Sequence, residues 1–197
     1  MTVASFEGKR PRIGEGTYIH PSAEVFGDVT VGRGCWIGPG VRIRGDYGRI
    51  VIGDFCSIED NCVIHARPGE QATIGDWVTI GHGAVIHNVG RIDDYAIVGM
   101  GAVVSDWAIV GRWAVVGEGA VVRQGQEVPP EHIAVGVPAR VLDRTVDEAY
   151  KEQWTRFKRL YVDLARRYPT GWVPLGSVEP PADAADGDGE DRHRQAE

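Results

Sequence analysis

Three histidines, His65, His82 and His87, lie close together near the middle of the chain. The imidazole ring is a common zinc ligand and a frequent general base near neutral pH. Three imidazoles that converge on one ion leave a fourth coordination position for water, which is how catalytic zinc is held. The residue types therefore favour a three-histidine metal centre, while a catalytic histidine without metal and surface histidines without a role remain alternatives.

A six-residue repeat of Ile or Val occupies most of the chain and must form the elements that position these histidines. The anchors run from Ile13 to Val122, with extra residues inserted after Ile43 and after Ile64. The fourth residue after most anchors is small or apolar, as an inward corner requires. Period six fits neither a helix nor an alternating strand and is typical of a parallel β-helix with three hexads per coil. We predict an all-β prism of about six coils, spaced by about 4.8 Å.

The register distributes the hexads over three walls. Wall A carries the hexads that begin at residues 13, 31, 52, 74, 92 and 110, wall B those at 19, 37, 58, 80, 98 and 116, and wall C those at 25, 43, 64, 86, 104 and 122. His65 and His87 each follow an anchor on wall C, one rung apart, whereas His82 follows an anchor on wall B. A homotrimer, in which wall B of one subunit meets wall C of the next, is the simplest way to complete the site.

A helical pattern follows the last coil. Aromatic and apolar side chains recur at helical spacing from Tyr150 to Leu164, which predicts an amphipathic helix. Thr145 and Glu148 resemble a capping box at its start. The chain thus divides into a β-helix domain (1–142), a C-terminal helix (143–169) and an acidic tail (170–197).

The surface that receives this helix must be apolar. Trp77, Tyr95 and Trp113 form an aromatic column one rung apart on wall A. We therefore expect the helix to pack along wall A or a neighbouring subunit's wall, which leaves walls B and C for the trimer. The tail is poor in apolar residues, and we expect it to be disordered.

Composition excludes several classes of protein. The net charge is −7, and the last 28 residues hold seven acids against two arginines, so no basic surface is available for nucleic acid or anionic membranes. No stretch has the character of a membrane span or a signal peptide. Cys35, Cys56 and Cys62 fall on the small internal sites and lack zinc-type spacing, which indicates packing thiols in a cytoplasmic protein.

Three motifs resemble the gamma-class carbonic anhydrase family of hexapeptide proteins. They are R-G-D at 44–46, I-E-D-N-C-V-I-H ending at His65, and G-H-G-A-V-I-H with His82 and His87. The resemblance implies a left-handed β-helix and a homotrimer with Zn²⁺, Fe²⁺ or Co²⁺ bound by three histidines at each interface. It also implies reversible hydration of carbon dioxide to bicarbonate by a metal-bound hydroxide. The pattern resembles most closely the bacterial subgroup encoded in phenylacetate and carnitine operons.

The resemblance also suggests roles for charged residues around the histidines. Arg44 and Asp46 would form an ion pair across the interface, and Asp60 would orient Arg44 or the ligands. Glu59 stands where the family usually has Gln; an ionised Glu only accepts hydrogen bonds, but it could serve as a general base. Glu70 is the single acid in the insertion after His65 and the candidate there for proton transfer.

The same chemistry serves more than one substrate. A metal hydroxide can attack a thioester carbonyl as well as carbon dioxide, and some members of the bacterial subgroup that this sequence resembles are acyl-CoA thioesterases. An acyl-CoA thioesterase or hexapeptide acyltransferase is therefore the alternative. A non-catalytic trimeric subunit that retains a metal site is a third possibility.

Overall fold

The computed structural model describes residues 2–176, so most of the predicted acidic tail, from residue 177 onward, lies outside the described residues. Within that range the chain forms twenty short strands followed by one α-helix. The strands are β1 (Thr2–Ala4), β2 (Arg12–Ile13), β3 (Tyr18–Ile19), β4 (Glu24–Val31), β5 (Trp36–Ile37), β6 (Arg42–Ile52), β7 (Ser57–Ile58), β8 (Val63–His65), β9 (Gln71–Ile74), β10 (Thr79–Ile80), β11 (Val85–His87), β12 (Arg91–Ile92), β13 (Ile97–Val98), β14 (Val103–Val104), β15 (Ile109–Val110), β16 (Val115–Val116), β17 (Val121–Val122), β18 (Glu127–Val128), β19 (His132–Val135) and β20 (Arg140–Thr145).

Parallel pairing between strands one coil apart confirms the parallel β-helix, and the fold matches the left-handed type predicted. Ile80 pairs with Val98 on wall B, and Ile86 pairs with Val104 on wall C. The prism has about seven turns rather than six. The repeat continues beyond Val122 because Val128 and Ala134 keep the six-residue spacing and are fully buried.

Walls A and C form a single twelve-stranded sheet, whereas wall B forms an eight-stranded sheet. Walls A and C join because β4 and β6 run from one wall into the other without a break. The extra residues after Ile43 therefore lengthen a strand. This places Arg44 and Asp46 on β6, beside the first histidine.

Small side chains fill the inward corners, as the repeat predicts. Cys35, Cys56 and Cys62 are buried free thiols, and the Cys56 Sγ donates to the Gly75 carbonyl at 3.0 Å. Burial raises the pKa of the Cys62 thiol to about 12. All three thiols pack inside the prism, and burial, which raises the pKa of Cys56 and Cys62, keeps these two protonated at neutral pH.

The predicted aromatic column is present. Tyr95 lies between Trp77 and Trp113, with ring centroids 6.2 and 4.9 Å away and nearly parallel planes. Phe55 extends the column by one further rung, at 4.8 Å from Trp77. All four residues adopt positive φ, so the column lies at a corner of the prism.

The helix, α1, spans Glu148–Gly171. The capping-box prediction was wrong, because Thr145 belongs to β20, which pairs antiparallel with β19. Asp147 is the N-cap, and its side chain accepts from the Tyr150 backbone N–H at 2.8 Å. In the part of the chain described, no helix is long and apolar enough to cross a membrane.

The helix packs along wall B of its own chain. The prediction that it lies on wall A or on a neighbouring subunit's wall, and leaves wall B for the trimer, was therefore wrong. The helix contacts β3, β5 and β7, and the Tyr168 ring lies 4.3 Å from Trp36. Its N-terminal half reaches only the end of the aromatic column, where Trp154 and Tyr150 pack around Trp113. The physical reason is the outward face of wall B, where the residue before several anchors is aromatic or branched: Tyr18, Trp36, Ile97, Val115 and Ile133.

Candidate metal centre

His65 and His87 lie side by side on wall C. β8 and β11 pair in parallel with His87 directly opposite His65. Their ring centroids are 5.4 Å apart and their planes are inclined by 41°. Adjacent rungs thus bring two of the three predicted ligands together within one chain.

The ring of His65 is set by charged neighbours on β6. Its Nε2 lies 3.0 Å from Asp46 Oδ1, and Arg44 Nη1 donates to Asp46 Oδ2 at 3.2 Å. Both contacts form within a single chain, so the ion pair across an interface stays a prediction. Desolvation by burial is the main cause that lowers the pKa of His65, which favours the neutral imidazole that binds metals.

Asp106, which the sequence analysis missed, faces His87. Its Oδ2 lies 3.3 Å from His87 Nδ1, and its Oδ1 accepts from Arg67 Nε. The hydrogen bond from Arg67 is the main cause that lowers the pKa of Asp106 to about 2. An ionised carboxylate at Nδ1 holds the proton there and leaves the lone pair on Nε2 of His87, the nitrogen that would bind a metal if one is held here. Ser105 occupies the next position in the column that contains His65 and His87, and Asp106 directly follows it. This position could have identified Asp106 from the sequence.

Glu70 secures the insertion that follows His65. One of its carboxylate oxygens accepts from Asn88 Nδ2 at 2.7 Å and from Trp107 Nε1 at 2.5 Å. Asn88 in turn accepts from the Arg67 backbone N–H at 3.0 Å. The insertion is thereby fastened to the rungs that carry His87 and Asp106, and proton transfer by Glu70 stays a prediction.

His82 lies at a different corner, after β10, between two carboxylates. Its Nε2 is 3.1 Å from Glu59 Oε2, and its Nδ1 is 3.4 Å from Asp60 Oδ2. Asp60 therefore contacts a histidine, and Arg44 pairs with Asp46 instead. Glu59 is buried, and desolvation is the main cause that raises its pKa.

Tyr161 of α1 joins this corner, and the sequence analysis did not anticipate it. Its hydroxyl interacts electrostatically with Glu59, and both residues line the same cavity. Burial is the main cause that raises the pKa of Tyr161, so the phenol remains a donor at neutral pH. The wall B position of α1 is what brings this residue to Glu59 and His82.

The donor set fits a metal only if two copies contribute. Within residues 2–176 of one chain, no group of three or more His, Cys, Asp and Glu side chains is arranged to hold an ion. His65 and His87 supply two adjacent imidazoles, one of them oriented by an ionised carboxylate. His82 projects from another corner with its side chain 44% exposed, where it is available to a neighbouring copy.

The N-terminal coils are similar to a known protein family. Residues 10–45 match the family model described as bacterial transferase hexapeptide (six repeats). The chain is 45% identical over 65 residues to the carnitine operon protein CaiE of Proteus sp. (strain LE138), a match that covers 33% of each chain. It is 39% identical over 75 residues to CaiE of Escherichia coli O157:H7, which covers 38% of each. These matches span little more than a third of the curated relatives.

Solved structures resemble almost the whole chain. A putative acetyltransferase from Bacillus cereus has a TM-score of 0.80 and 32% identity, over 83% of this chain and 94% of that one. A hexapeptide transferase family protein from Anaplasma phagocytophilum has a TM-score of 0.80 and 29% identity, over 85% and 98%. The repeat, the fold and these similarities together identify the chain as a member of the bacterial hexapeptide-repeat transferase family.

Proposed function

We propose that this protein is a metal-dependent enzyme that adds water to a carbonyl carbon, at sites shared between the subunits of a homotrimer. The observation that supports it is the His65–His87 ring pair at 5.4 Å, with His82 exposed at another corner of the same prism. His65 and His87 of one copy and His82 of the next would hold Zn²⁺, Fe²⁺ or Co²⁺. Such an ion lowers the pKa of a water ligand towards 7 and so supplies a nucleophile at neutral pH.

The other side chains would orient these ligands and position the substrate. Asp106 and Asp46 hold the rings of His87 and His65. Glu59 offers a buried acceptor next to His82, and Tyr161 offers a donor beside it. A water molecule beside Glu59 could give a proton to that carboxylate. At the same time the Tyr161 hydroxyl could donate a hydrogen bond to the carbonyl oxygen of the substrate.

The first substrate class that we propose is the thioester of coenzyme A. Addition of water to the thioester carbonyl breaks the carbon–sulfur bond and yields a carboxylic acid and free coenzyme A. One similar solved protein is named a putative acetyltransferase and another a hexapeptide transferase family protein, and the first name supports chemistry on acyl groups. Transfer of the acyl group to an amine or alcohol would need an acceptor in place of water.

Hydration of carbon dioxide is the second candidate, favoured by one specific observation. The R-G-D motif at 44–46, followed by His65, His82 and His87 at this spacing, carries the resemblance to gamma-class carbonic anhydrases. Addition of water to carbon dioxide gives bicarbonate and one proton. The ligand set required is the same for both reactions.

Metal analysis of protein purified without oxygen, followed by two assays, tests the proposal. We expect metal bound to the wild type, with thiol release from acyl-CoA esters or carbon dioxide hydration in stopped flow. His87→Ala should lose both metal and activity. His132→Ala should keep both, because the His132 ring is directed to the Pro130 carbonyl, at 2.9 Å, in β19 and not to the proposed site.

Each other outcome would contradict a definite part of the proposal. Full thioester or acyl-transfer activity in metal-free protein would show a metal-independent acyltransferase. Bound metal without turnover in either assay, with each of the three ions, would show a non-catalytic subunit.

A further inference from the structure

A cavity of about 320 Å³ lies between α1 and wall B. Apolar side chains from both elements form most of its lining, among them Ile97, Met100, Val115, Trp154, Phe157 and Leu160. Gly81 and Gly99, on successive rungs, line the floor of the cavity with backbone atoms alone. A cavity of this size is at the lower end of the range for small-molecule sites.

The cavity is elongated along the prism axis. Its lining runs from the rung of Glu59 to the rung of Val115, three rungs further on, and on α1 from Tyr161 back to Tyr150. Three rung spacings correspond to about 14 Å. A channel of this length and lining fits a flexible hydrocarbon chain better than a compact polar molecule.

One end of the cavity coincides with the corner of the proposed metal site, and the exposed carboxylate of Glu118 lies at the other end. Glu59, His82 and Tyr161 all line the first of these ends. A hydrocarbon chain inside the channel would thus present its terminal carbonyl to His82 and Glu59. Carbon dioxide requires no such channel.

We propose that this cavity binds the acyl chain of a medium-chain acyl thioester, with the carbonyl at the Glu59 and His82 end. The inference deepens the proposed function by naming its substrate class, and it relies on that function for the reaction but not for the binding. A neutral thioester suits a lining that includes the carboxyls of Glu59 and Glu118, whereas a free carboxylate would face like charge.

Calorimetry on metal-free protein tests the binding without turnover. The probes are non-hydrolysable thioether analogues of acetyl-, butyryl-, hexanoyl- and octanoyl-CoA, with free octanoate and neutral octanamide for comparison. Affinity should rise by up to about tenfold for each added pair of methylenes. Octanoate should also bind more weakly than neutral octanamide by at least about tenfold, because its carboxylate would face like charge.

A matched pair of substitutions on α1 locates the site. Leu160→Trp adds bulk at the cavity from an exposed position, so the buried core is untouched. Leu164→Trp is the control, since Leu164 lies one turn further along and lines a separate hollow with Tyr168 and Trp172. We expect Leu160→Trp to weaken the octanoyl analogue at least about tenfold and Leu164→Trp to change it less than about twofold.

The outcomes separate this inference from the proposed function. Equal effects of the two substitutions, or affinity independent of chain length, would overturn the acyl site even if thioesters are hydrolysed. Tight, chain-length-dependent binding without turnover on any metal would support the acyl site and count against the proposed reaction. If Leu160→Trp instead dissociates an oligomer in sedimentation, the cavity belongs to a contact between copies and the inference fails.

Discussion

Asp106 determines how His87 meets the proposed metal. Its carboxylate stands between the His87 ring and Arg67, which keeps it ionised at neutral pH. A histidine ligand whose second nitrogen donates to a carboxylate has a fixed tautomer and a more basic metal-binding nitrogen. The arrangement makes Asp106 a positioning residue.

Asp106→Asn should lower metal affinity by about 10- to 100-fold, because the neutral amide no longer fixes the His87 tautomer. Competition with a chromophoric chelator measures the affinity directly. Asp93→Asn is the matched control, since Asp93 pairs with Arg91 on the surface at 3.1 Å. Equal metal affinities in the two variants would show that Asp106 does not position His87 for metal binding.

Lys158 of α1 has its side-chain amine buried between the helix and wall B. It is 2% exposed and donates to Thr79 Oγ1 at 3.1 Å and to the Ala96 carbonyl at 3.3 Å. Cys56 and Glu59 are the acidic groups that face it and raise its pKa, but desolvation dominates and lowers the pKa to about 7. Burial of this ammonium therefore opposes docking of the helix at neutral pH.

The pH dependence of stability follows from this shift. The unfolded chain, with the ordinary pKa of 10.5, binds more protons than the folded one between about pH 7 and 10.5. Stability should therefore rise with pH across that window and level off below about pH 7, where both states are protonated. Lys158→Met should remove this contribution and stabilise the protein at pH 7 by on the order of a few kcal/mol.

Urea unfolding at pH 7, 8 and 9 measures both effects. Lys151→Met is the control on the same helix; its amine pairs with Glu131 and Glu148 at the surface, so the rise with pH should persist. Both Lys158 acceptors keep other donors, from Ser57 and from the Thr79 backbone, so the methionine leaves no acceptor unpaired. An unchanged pH slope in Lys158→Met would contradict the assignment.

At the scale of elements, α1 links the N-terminal coils to the later ones. Its C-terminal half packs on Tyr18 and Trp36, while its N-terminal half packs around Trp113 and Ile97. The helix also brings Tyr161 to Glu59 and roofs the cavity beside His82. Its start must therefore be well defined for the site to form.

The N-cap of α1 offers a direct test of that requirement. Asp147→Ala removes the acceptor for the Tyr150 backbone N–H and should lower the free energy of unfolding by about 1 kcal/mol. Denaturant unfolding measures the change, and Asp143→Ala in β20 is the control, expected to stay near wild type. A smaller loss in Asp147→Ala than in Asp143→Ala would mean that β20 rather than the cap sets the start of the helix.

At the scale of the molecule, the proposed site depends on more than one copy. Beside the histidine pair, wall C presents an outward column of Val63, Val85, Val103 and Val121, partly exposed in the single chain. An exposed apolar column next to incomplete metal ligands is a surface suited to burial against another subunit. This supports the proposed trimer with wall C at its interface.

Mixing two inactive variants tests the shared site. His82→Ala and His87→Ala should each lack activity alone, since neither forms a complete ligand set. When equal amounts exchange subunits, random assortment should restore about one quarter of the interfaces, and hence of the activity, in a cyclic trimer. Sedimentation of each variant verifies that trimers persist, and recovery no greater than the sum of the separate variants would place the site within one chain.

The sequence alone determined the repeat, the three walls and the pairing of His65 with His87. These features follow from a fixed offset between neighbouring rungs, so counting residues suffices once the insertion after His65 is recognised. It also determined that His82 faces another corner and that the thiols point inward. The seventh turn was missed because the prolines after Gln126 hid a period that Val128 and Ala134 preserve.

The tertiary structure alone decided where α1 lies and what it brings to the site. The amphipathic pattern indicates that one face of the helix must be buried, but it does not indicate on which of the three walls. That choice depends on the summed apolar surface of distant rungs. The wall B position of α1 created the Glu59–Tyr161 contact, the buried Lys158 and the cavity. Contacts within a repeat follow from residue spacing, because each rung stacks on the next at a fixed offset. Contacts made by a docked helix depend on surfaces that are distant in sequence, so residue spacing does not predict them.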